Sequence, residues 1–319
     1  MLDLKSLKVF LTVAELANMT AAGRKLGLSQ SAVSQAIRQL EEHLGTVLIA
    51  RDRRPLALTP AGTALCQRGA VLVAEAEALF RTVREQAGTQ AQLLRLGMVD
   101  SFAATVGPPL VKRLLKSAVQ IHVASGLGPE LGTALLERRL DMVVTTSPPG
   151  STRPLEHHPV LSEPYVLLVS RTRMRPDERA QKATTLAGLA KALPLVRFNG
   201  DSHIGAQIEE YLRQHEVVPP RRLEIDTAET LVAMVAADVG WALVTPLCLL
   251  QARADPQAVC VLPLPDAGFS REIMLLARPG EYGELPRTIA RHGSAIFRDE
   301  WQPRLARLAP WLAGAVSVA

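Results

Sequence analysis

Leu28-Ser29-Gln30-Ser31-Ala32-Val33-Ser34-Gln35-Ala36-Ile37-Arg38-Gln39-Leu40-Glu41-Glu42-His43-Leu44-Gly45 is the stretch on which the fold turns. Val33, Ile37, Leu40 and Leu44 fall at i, i+4, i+7 and i+11, which makes one apolar stripe on a helix. Ser29 is a good N-cap, and Gly45 suits the left-handed position that ends a helix. Gln30, Ser31, Ser34, Gln35 and Arg38 project away from the stripe, mostly near the N-terminal end. Such groups can meet base edges and phosphates in a major groove. Any wet helix face carries Gln, Ser and Arg, so the stretch needs its neighbours to carry a function.

Upstream, Leu4, Leu7, Phe10, Leu11 and Ala14 recur at helical spacing, and Asn18-Met19-Thr20 interrupts them. Thr20 reads as the cap of a short helix from Ala21 to Leu26, closed by Gly27. Two helices with a Gly-containing turn between them form a helix-turn-helix. Downstream, Leu48–Arg51 and Leu56–Leu58 read as two short strands around the turn Asp52-Arg53-Arg54-Pro55. A hairpin tip bearing Arg51, Arg53 and Arg54 beside such a helix is a wing that can grip phosphates, while the helix reads sequence.

Charge agrees with this reading. The chain of 319 residues has a formal net charge of +5. Residues 1–60 hold eight Lys and Arg against five Asp and Glu, so most of the excess lies in the first fifth. A small basic module followed by a large, nearly neutral one points to nucleic-acid binding coupled to another task. Apolar residues make up 48% and charged residues 21%, which excludes wholesale disorder. Three cysteines exclude a disulfide-stapled scaffold. Residues 1–17 are broken by Asp3, Lys5, Lys8 and Glu15, unlike a signal peptide or membrane span, so the protein is expected in the cytoplasm with no membrane partner.

The head resembles the DNA-binding domain of LysR-type transcriptional regulators. The resemblance rests on Leu7, Phe10, Thr20-Ala21-Ala22, Leu26, Leu28 through Ser34, Leu40-Glu41, Gly45, Leu48, Arg51 and Leu58-Thr59-Pro60-Ala61-Gly62. Ile49 stands where the family usually has Phe, and Asn18-Met19 replaces the more usual Ser-Phe. The residues expected to contact DNA are Thr20, Gln30, Ser31, Ser34, Gln35, Arg38, Arg51, Arg53 and Arg54.

Thr59 and Pro60 open a long helix that runs to Gln86-Ala87, with Gly88 at its end. Leu65, Leu72 and Leu79 repeat every seven residues, with Gly62, Gly69, Ala76 and Val83 at the companion position. The pattern fits a helix that pairs two chains through residues 60–87, and equally a helix packed on its own domain. Reading an operator with half-sites about 34 Å apart favours the first.

From residue 93 on, strand-like runs (Leu93–Met98, Val119–Ala124, Asp141–Thr145, Tyr165–Ser170, Leu195–Phe198, Leu223–Asp226, Trp241–Thr245, Val259–Leu262, Ile273–Ala277) alternate with helical ones such as Ala103–Leu115, Glu130–Arg139, Ile204–Gln214 and Ala228–Ala237. This alternation favours parallel sheets with ligands beyond the carboxyl ends of the strands. The expected architecture is an N-terminal all-α winged helix-turn-helix (1–59), a linker helix (60–88) and a C-terminal α/β effector domain (93–319). The resemblance implies that the last consists of two Rossmann-like subdomains, as in periplasmic binding proteins. Subdomain I is then about 93–162 plus 267–319 and subdomain II about 163–266, with chain crossings near Glu163–Ser170 and Ser270–Ala277.

Small polar residues recur at the turns that follow strands. Ser101, Phe102, Ser125, Gly126, Thr145, Arg197, Asn199, Ser202, His203 and Thr227 are the candidate effector residues. Hydroxyls and free N–H groups at helix starts suit a polar or anionic small molecule. Each one is also an ordinary N-cap, and only their shared topological position argues for a site. The low aromatic content, 4%, favours a small polar or acidic effector over a large aromatic one. No cofactor and no metal are expected.

Several features are set aside. Cys248 and Cys260, flanked by apolar residues, read as inert core rather than a thiol switch. His157-His158 reads as solvated loop, and Arg171–Lys182 as a solvated, arginine-rich loop. Residues 306–319 are apolar enough to pack on subdomain I or on another subunit. The expected protein is a ligand-responsive regulator, activator or repressor, of a partly palindromic operator. The resemblance implies a tetramer and contact with RNA polymerase. The rival reading is an α/β enzyme or solute-binding protein whose winged helix does not read an operator. The sequence offers that rival no paired carboxylates, triad or metal cluster.

Overall fold

The computed structural model describes residues 3–50, 56–86, 93–116, 120–146, 154–173, 186–219, 223–264 and 268–319. The chain divides into two compact units, one built on residues 1–90 with the short stretch 136–139, the other on the remainder.

In the first unit, α1 (Leu4–Leu16) is capped by Asp3, whose carboxylate accepts from the Lys5 and Ser6 N–H groups. Its Leu7, Phe10 and Val13 are buried. The second helix, α2 (Met19–Leu26), begins two residues earlier than the sequence suggests. Asn18, not Thr20, is its cap and accepts from the Ala21 N–H at 2.9 Å. Asn is as good a cap as Thr, and placing it there frees Thr20 to face solvent in the first turn. Gly27, at φ 68°, ends α2 in the left-handed region. Ser29 then caps α3 (Gln30–Leu44) by accepting from the Ala32 N–H. Val33, Ile37 and Leu40 are buried, but Leu44, expected in the same stripe, is exposed beside the helix end at Gly45.

The wing strands β1 (Ile49–Ala50) and β2 (Ala57–Leu58) pair antiparallel. Glu41 on α3 accepts from the N–H groups of Leu48 and Ile49, which ties the hairpin's root to α3. The tip, with Arg51, Arg53 and Arg54, lies outside the described residues.

The long helix α4 (Pro60–Gln86) starts where Thr59 accepts from the Gly62 N–H and donates to the Val47 carbonyl. A Cβ on Gly62 would lie 2.1 Å from the Leu48 carbonyl oxygen, and one on Gly69 would lie 2.8 Å from Leu7. The glycines at the companion heptad position therefore let α4 approach its own head. Leu72 and Leu79 stay exposed at 43% and 65%. The side chain of Val83, and Gly88, lie outside the described residues.

The second unit runs through β3 (Leu93–Val99), α5 (Asp100–Ala104), α6 (Gly107–Leu114), β4 (Gln120–Gly126), α7 (Gly128–Leu136), β5 (Met142–Thr146), β6 (Glu156–Pro164) and β7 (Val166–Ser170). It continues with α8 (Leu186–Ala192), β8 (Val196–Phe198), α9 (His203–Gln214), β9 (Leu223–Ile225), α10 (Ala228–Ala236), β10 (Ala242–Val244), α11 (Pro246–Gln251) and β11 (Val259–Leu262). It closes with β12 (Ser270–Ala277), α12 (Leu285–Ile296), α13 (Gln302–Leu308), α14 (Pro310–Ala315) and β13 (Ser317–Val318). The helix expected over Ala103–Leu115 is broken into α5 and α6, because Pro108 and Pro109 are tolerated only in a first turn.

One sheet has the order β13-β6-β12-β5-β3-β4. The other comprises β10-β7-β11 and the pair β8-β9, joined by a parallel bridge between Leu195 and Trp241. The sheets are mixed rather than parallel. β3–β4, β3–β5 and β8–β9 run parallel, while β12 is antiparallel to β5 and β6, and β7 to β10 and β11. The reason is the crossing itself: the chain leaves the first sheet along β6 and returns along β12, so these neighbours run in opposite directions.

β6 is a strand the sequence hid. His157 and His158, read as loop, pair with Leu276 and Leu275 of β12. Two prolines and four charged or His residues disguise the strand. Pro159 is accommodated at a register shift between Ile273 and Met274, where a ladder donor is not required. The apolar tail packs on the same side: Leu312 and Val316 are buried, and β13 adds an edge strand to β6.

Candidate DNA-reading face and effector cleft

On α3, Gln30, Ser31, Gln35 and Arg38 are exposed and Ser34 is half-buried, above the buried Val33, Ile37 and Leu40. Ser31 shares a hydroxyl hydrogen bond of 2.9 Å with the capping Ser29. Thr20 is exposed on α2. Nothing in the described head engages the side chains of Gln30, Gln35 or Arg38, so the outer face of α3 presents free donors and acceptors. That is what base-edge readout requires.

In the second unit a cavity of about 560 Å³ opens between the two sheets. The first turns of α5, α7, α9 and α10 line it, together with Arg271 of β12. Ser101, Ser125, Gly126, Ser202, His203 and Thr227 from the expected set meet there. Ser202 caps α9 by accepting from the Gly205 N–H, and Thr227 caps α10 by accepting from the Thr230 N–H. The N-terminal, partly positive ends of these helices thus border the cavity.

Four expected residues do not line it. Phe102 is fully buried in the core beneath. Thr145 is not in the lining: its hydroxyl is buried behind Gly128, beside His203, while Thr146 lines the cavity. Along β8 successive residues face opposite sides, which removes Arg197 and presents Phe198. Arg197 is buried, paired with Glu209, and donates to the Pro219 carbonyl. Asn199 donates to Asp226 and accepts from the Asp201 N–H, off the cavity wall.

The structure adds residues the sequence did not single out: Asp100, Thr146, Asp226, Glu229, Cys248, Gln251 and Arg271. Arg271 matters most. It is paired on the crossing strands with buried Glu163, with Nε donating to Oε1 at 2.7 Å. Its Nη2 donates to Ser101 of α5 and Thr245 at the head of α11. The second Glu163 oxygen accepts from the Leu247 N–H. Burial is the largest influence and opposes the Arg271 charge, but the Glu163 charge and hydrogen bond, with Cys248 and Tyr165, together outweigh it and hold the guanidinium protonated beyond its ordinary range. No local pattern marked the pair: Glu163 sits between Ser162 and Pro164 in a polar, proline-broken stretch and Arg271 is followed by Glu272, so neither charge stands out until β6 and β12 are known to pair.

His203 reaches across the cavity to Thr146 at 2.7 Å. A side chain on Gly128 would collide with the imidazole, since its Cβ would lie 2.7 Å from Nδ1. Burial, and then the charge of Arg271, pull the His203 pKa below its ordinary value, so the ring bonds Thr146 in its neutral form at neutral pH. Burial pushes the Cys248 thiol up, which makes it a neutral, weakly nucleophilic wall group.

Two family descriptions match the chain. "Bacterial regulatory helix-turn-helix protein, lysR family" covers residues 4–63, and "LysR substrate binding domain" covers 87–287. The chain belongs to the LysR family. This regulator is therefore a ligand-responsive transcriptional regulator with a DNA-binding head and an effector-binding domain, not an enzyme, and the rival reading falls. The second match stops before α13, α14 and β13.

The regulator is 28% identical over 257 residues to the HTH-type transcriptional regulator EstR of Acinetobacter baylyi, covering 77% of this chain and 81% of that one. It is 27% identical over 266 residues to a probable cat1 operon transcriptional activator of Acinetobacter lwoffii, covering 80% and 84%. A full-length OxyR from Pseudomonas aeruginosa superposes with a TM-score of 0.67 at 20% identity, covering 93% of this chain and 95% of that chain. Full-length CbnR in complex with its target DNA gives 0.61 at 20% identity, covering 93% and 99%. At such identity these structures speak for the fold. Among the described residues no helix is long and apolar enough to cross a membrane.

Proposed function

We propose that the regulator binds a partly palindromic operator as a dimer. Gln30, Ser31, Ser34, Gln35 and Arg38 of each α3 enter the major groove, Thr20 stands beside them, and Arg51, Arg53 and Arg54 hold flanking phosphates. The observation that carries this reading is the free polar face of α3, rooted by a buried apolar stripe on its other side. Exposed Leu72 and Leu79 on α4 supply apolar surface for pairing two chains, though Gly62 and Gly69 serve the head of the same chain. The family resemblance extends the assembly to a tetramer that contacts RNA polymerase in the cytoplasm.

The effector lies in the cleft between a lobe of residues 93–162 with 267–319 and a lobe of 163–266. Ser101, Ser125, Gly126, Thr146, Ser202, His203 and Thr227 surround it. An acidic group fits the helix starts, and the volume suits a small molecule. Asp100, Asp226 and Glu229 also line the cavity, which disfavours a polyanion and favours a single acidic group, alone or with an amine. The effector acts by binding one lobe arrangement more tightly than another.

Mobility shift with the DNA upstream of the gene tests the DNA reading. Wild type should give a salt-sensitive, sequence-selective shift. Ser34→Ala and Arg38→Ala should each weaken it by about 1–3 kcal/mol where the side chain contacts a base edge. Unchanged operator affinity in both variants overturns the assigned face.

A further inference from the structure

A second cavity, of about 780 Å³, lies in the effector-binding unit between α11 with its following turn and α13. Its floor is apolar, with Leu249, Leu250 and Leu308 among the lining. Its rim carries three exposed arginines: Arg253 from the turn, and Arg304 and Arg307 one helical turn apart on α13. None of the three makes a hydrogen bond or ion pair among the described residues, and the guanidinium of Arg304 lies over the Trp301 ring at 4.4 Å. The Trp301 indole N–H is buried without an acceptor. Glu229, the one carboxylate among the described lining residues, accepts from Gln251 instead.

Three cations around an apolar floor repel one another, and the single Glu229 charge pairs with none of them, so a bound anion supplies the balance. Arg304 and Arg307, at i and i+3, share one helix face and form a fork for oxygen pairs. A bare oxyanion would leave the leucine floor wet, whereas an organic acid covers it and places its carboxylates at the rim. We propose that this groove is a second ligand site, distinct from the cleft, for a small organic acid with an apolar or aromatic body and one or two carboxylates.

The groove and the cleft share a wall, because Ala104, Glu229 and Gln251 line both. The groove's other wall, Trp301 with Arg304 and Arg307, belongs to the C-terminal stretch of this chain. Occupation of the groove therefore bears on the Glu229–Gln251 pair and, through it, on the cleft.

Phthalate serves as the probe, with inorganic phosphate as the oxyanion lacking an apolar body. Titration of the full-length protein, followed by tryptophan fluorescence and calorimetry, should show saturable phthalate binding that phosphate does not match. Arg304→Gln combined with Arg307→Gln should weaken it roughly tenfold or more, while His203→Ala in the cleft leaves it intact. Trp301→Phe should abolish the fluorescence response and keep the calorimetric one. Loss of binding in His203→Ala but not in the arginine variant would place phthalate in the cleft and overturn the second site, leaving the cleft reading standing. No saturation at millimolar phthalate, or equal binding of phosphate, also overturns it. Far-ultraviolet dichroism and operator binding without ligand verify that the arginine variant is folded.

Discussion

The reading face of the head and the effector cleft are built by opposite routes. On α3 the side chains proposed to read DNA lie within one helix, most of them exposed, and the fold does little more than cap the helix with Ser29 and seat Val33, Ile37 and Leu40 beneath it. In the cleft, Arg271 bonds Ser101 from 170 positions away and Glu163 from 108. The Arg271–Glu163 network in its wall is also a joint of the structure, so it cannot be altered without touching the fold. A surface that must meet an outside partner can be assembled locally, whereas a pocket that must bring separate elements together draws its residues from all of them.

This contrast can be broken most severely at Arg271. Arg271→Leu leaves Glu163 buried with its charge partner gone, and should destabilise the effector-binding unit by about 3–5 kcal/mol. Adding Glu163→Gln should restore part of that, because the lone charge is removed. Urea unfolding of the single and double variants measures both effects. A loss no larger than a surface substitution gives would show the pair to be solvated and the contrast false.

A steric counterpart exists in the head. Gly62→Ala forces a Cβ onto the Leu48 carbonyl, which as backbone cannot swing away, and should cost about 1–3 kcal/mol. Gly132→Ala in α7 meets nothing within 4 Å and should be neutral or stabilising by up to about 1 kcal/mol through helix propensity. Thermal unfolding compares the two. Equal effects would mean that α4 does not rest on the root of the wing.

The smallest effect concerns pH. The His203 pKa is depressed in the folded state by burial and by Arg271, so the unfolded chain binds more protons as pH falls through the ordinary histidine range. The stability tied to His203 is full above about pH 6.5 and is lost progressively as pH drops toward the lower folded value. The stability difference between wild type and His203→Gln should therefore shrink from pH 7.5 to 5.5. A difference that is flat over this window would show that the ring is not held neutral.

Legibility in the sequence followed the same division. The head could be read almost residue by residue, because caps, glycine stops and a 3.6-residue stripe act within one or two turns. Two placements failed there: Leu44, expected in the buried stripe, is exposed at the helix end, and the cap of α2 is Asn18 rather than Thr20, since both residues can cap and the packing of α2 chooses between them. In the cleft, the helix-start hydroxyls Ser202 and Thr227 were legible as caps that happen to border a cavity, whereas Ser101 caps nothing and instead accepts from Arg271. Thr145 is buried just behind the wall at Gly128, and Arg197 was misplaced by one residue, since strand parity is invisible until it is known which face the helices cover. β6 was missed because its prolines and histidines suppress the period-two pattern, and with it went the Glu163–Arg271 pair.

The sequence by itself determined the winged head, its polar reading helix, the alternation of strands and helices, and the row of small polar residues at helix starts. These depend on local backbone preference and on periodicity. Tertiary structure alone decided that the sheets are mixed, that Thr146 rather than Thr145 faces the cavity, and that Arg271 closes a buried network with Glu163, Ser101 and Thr245. It also decided that α13 faces α11 across a groove ringed by arginines. Each of these is a pairing between segments far apart in the chain, fixed by which apolar faces bury each other, and no local pattern encodes that choice.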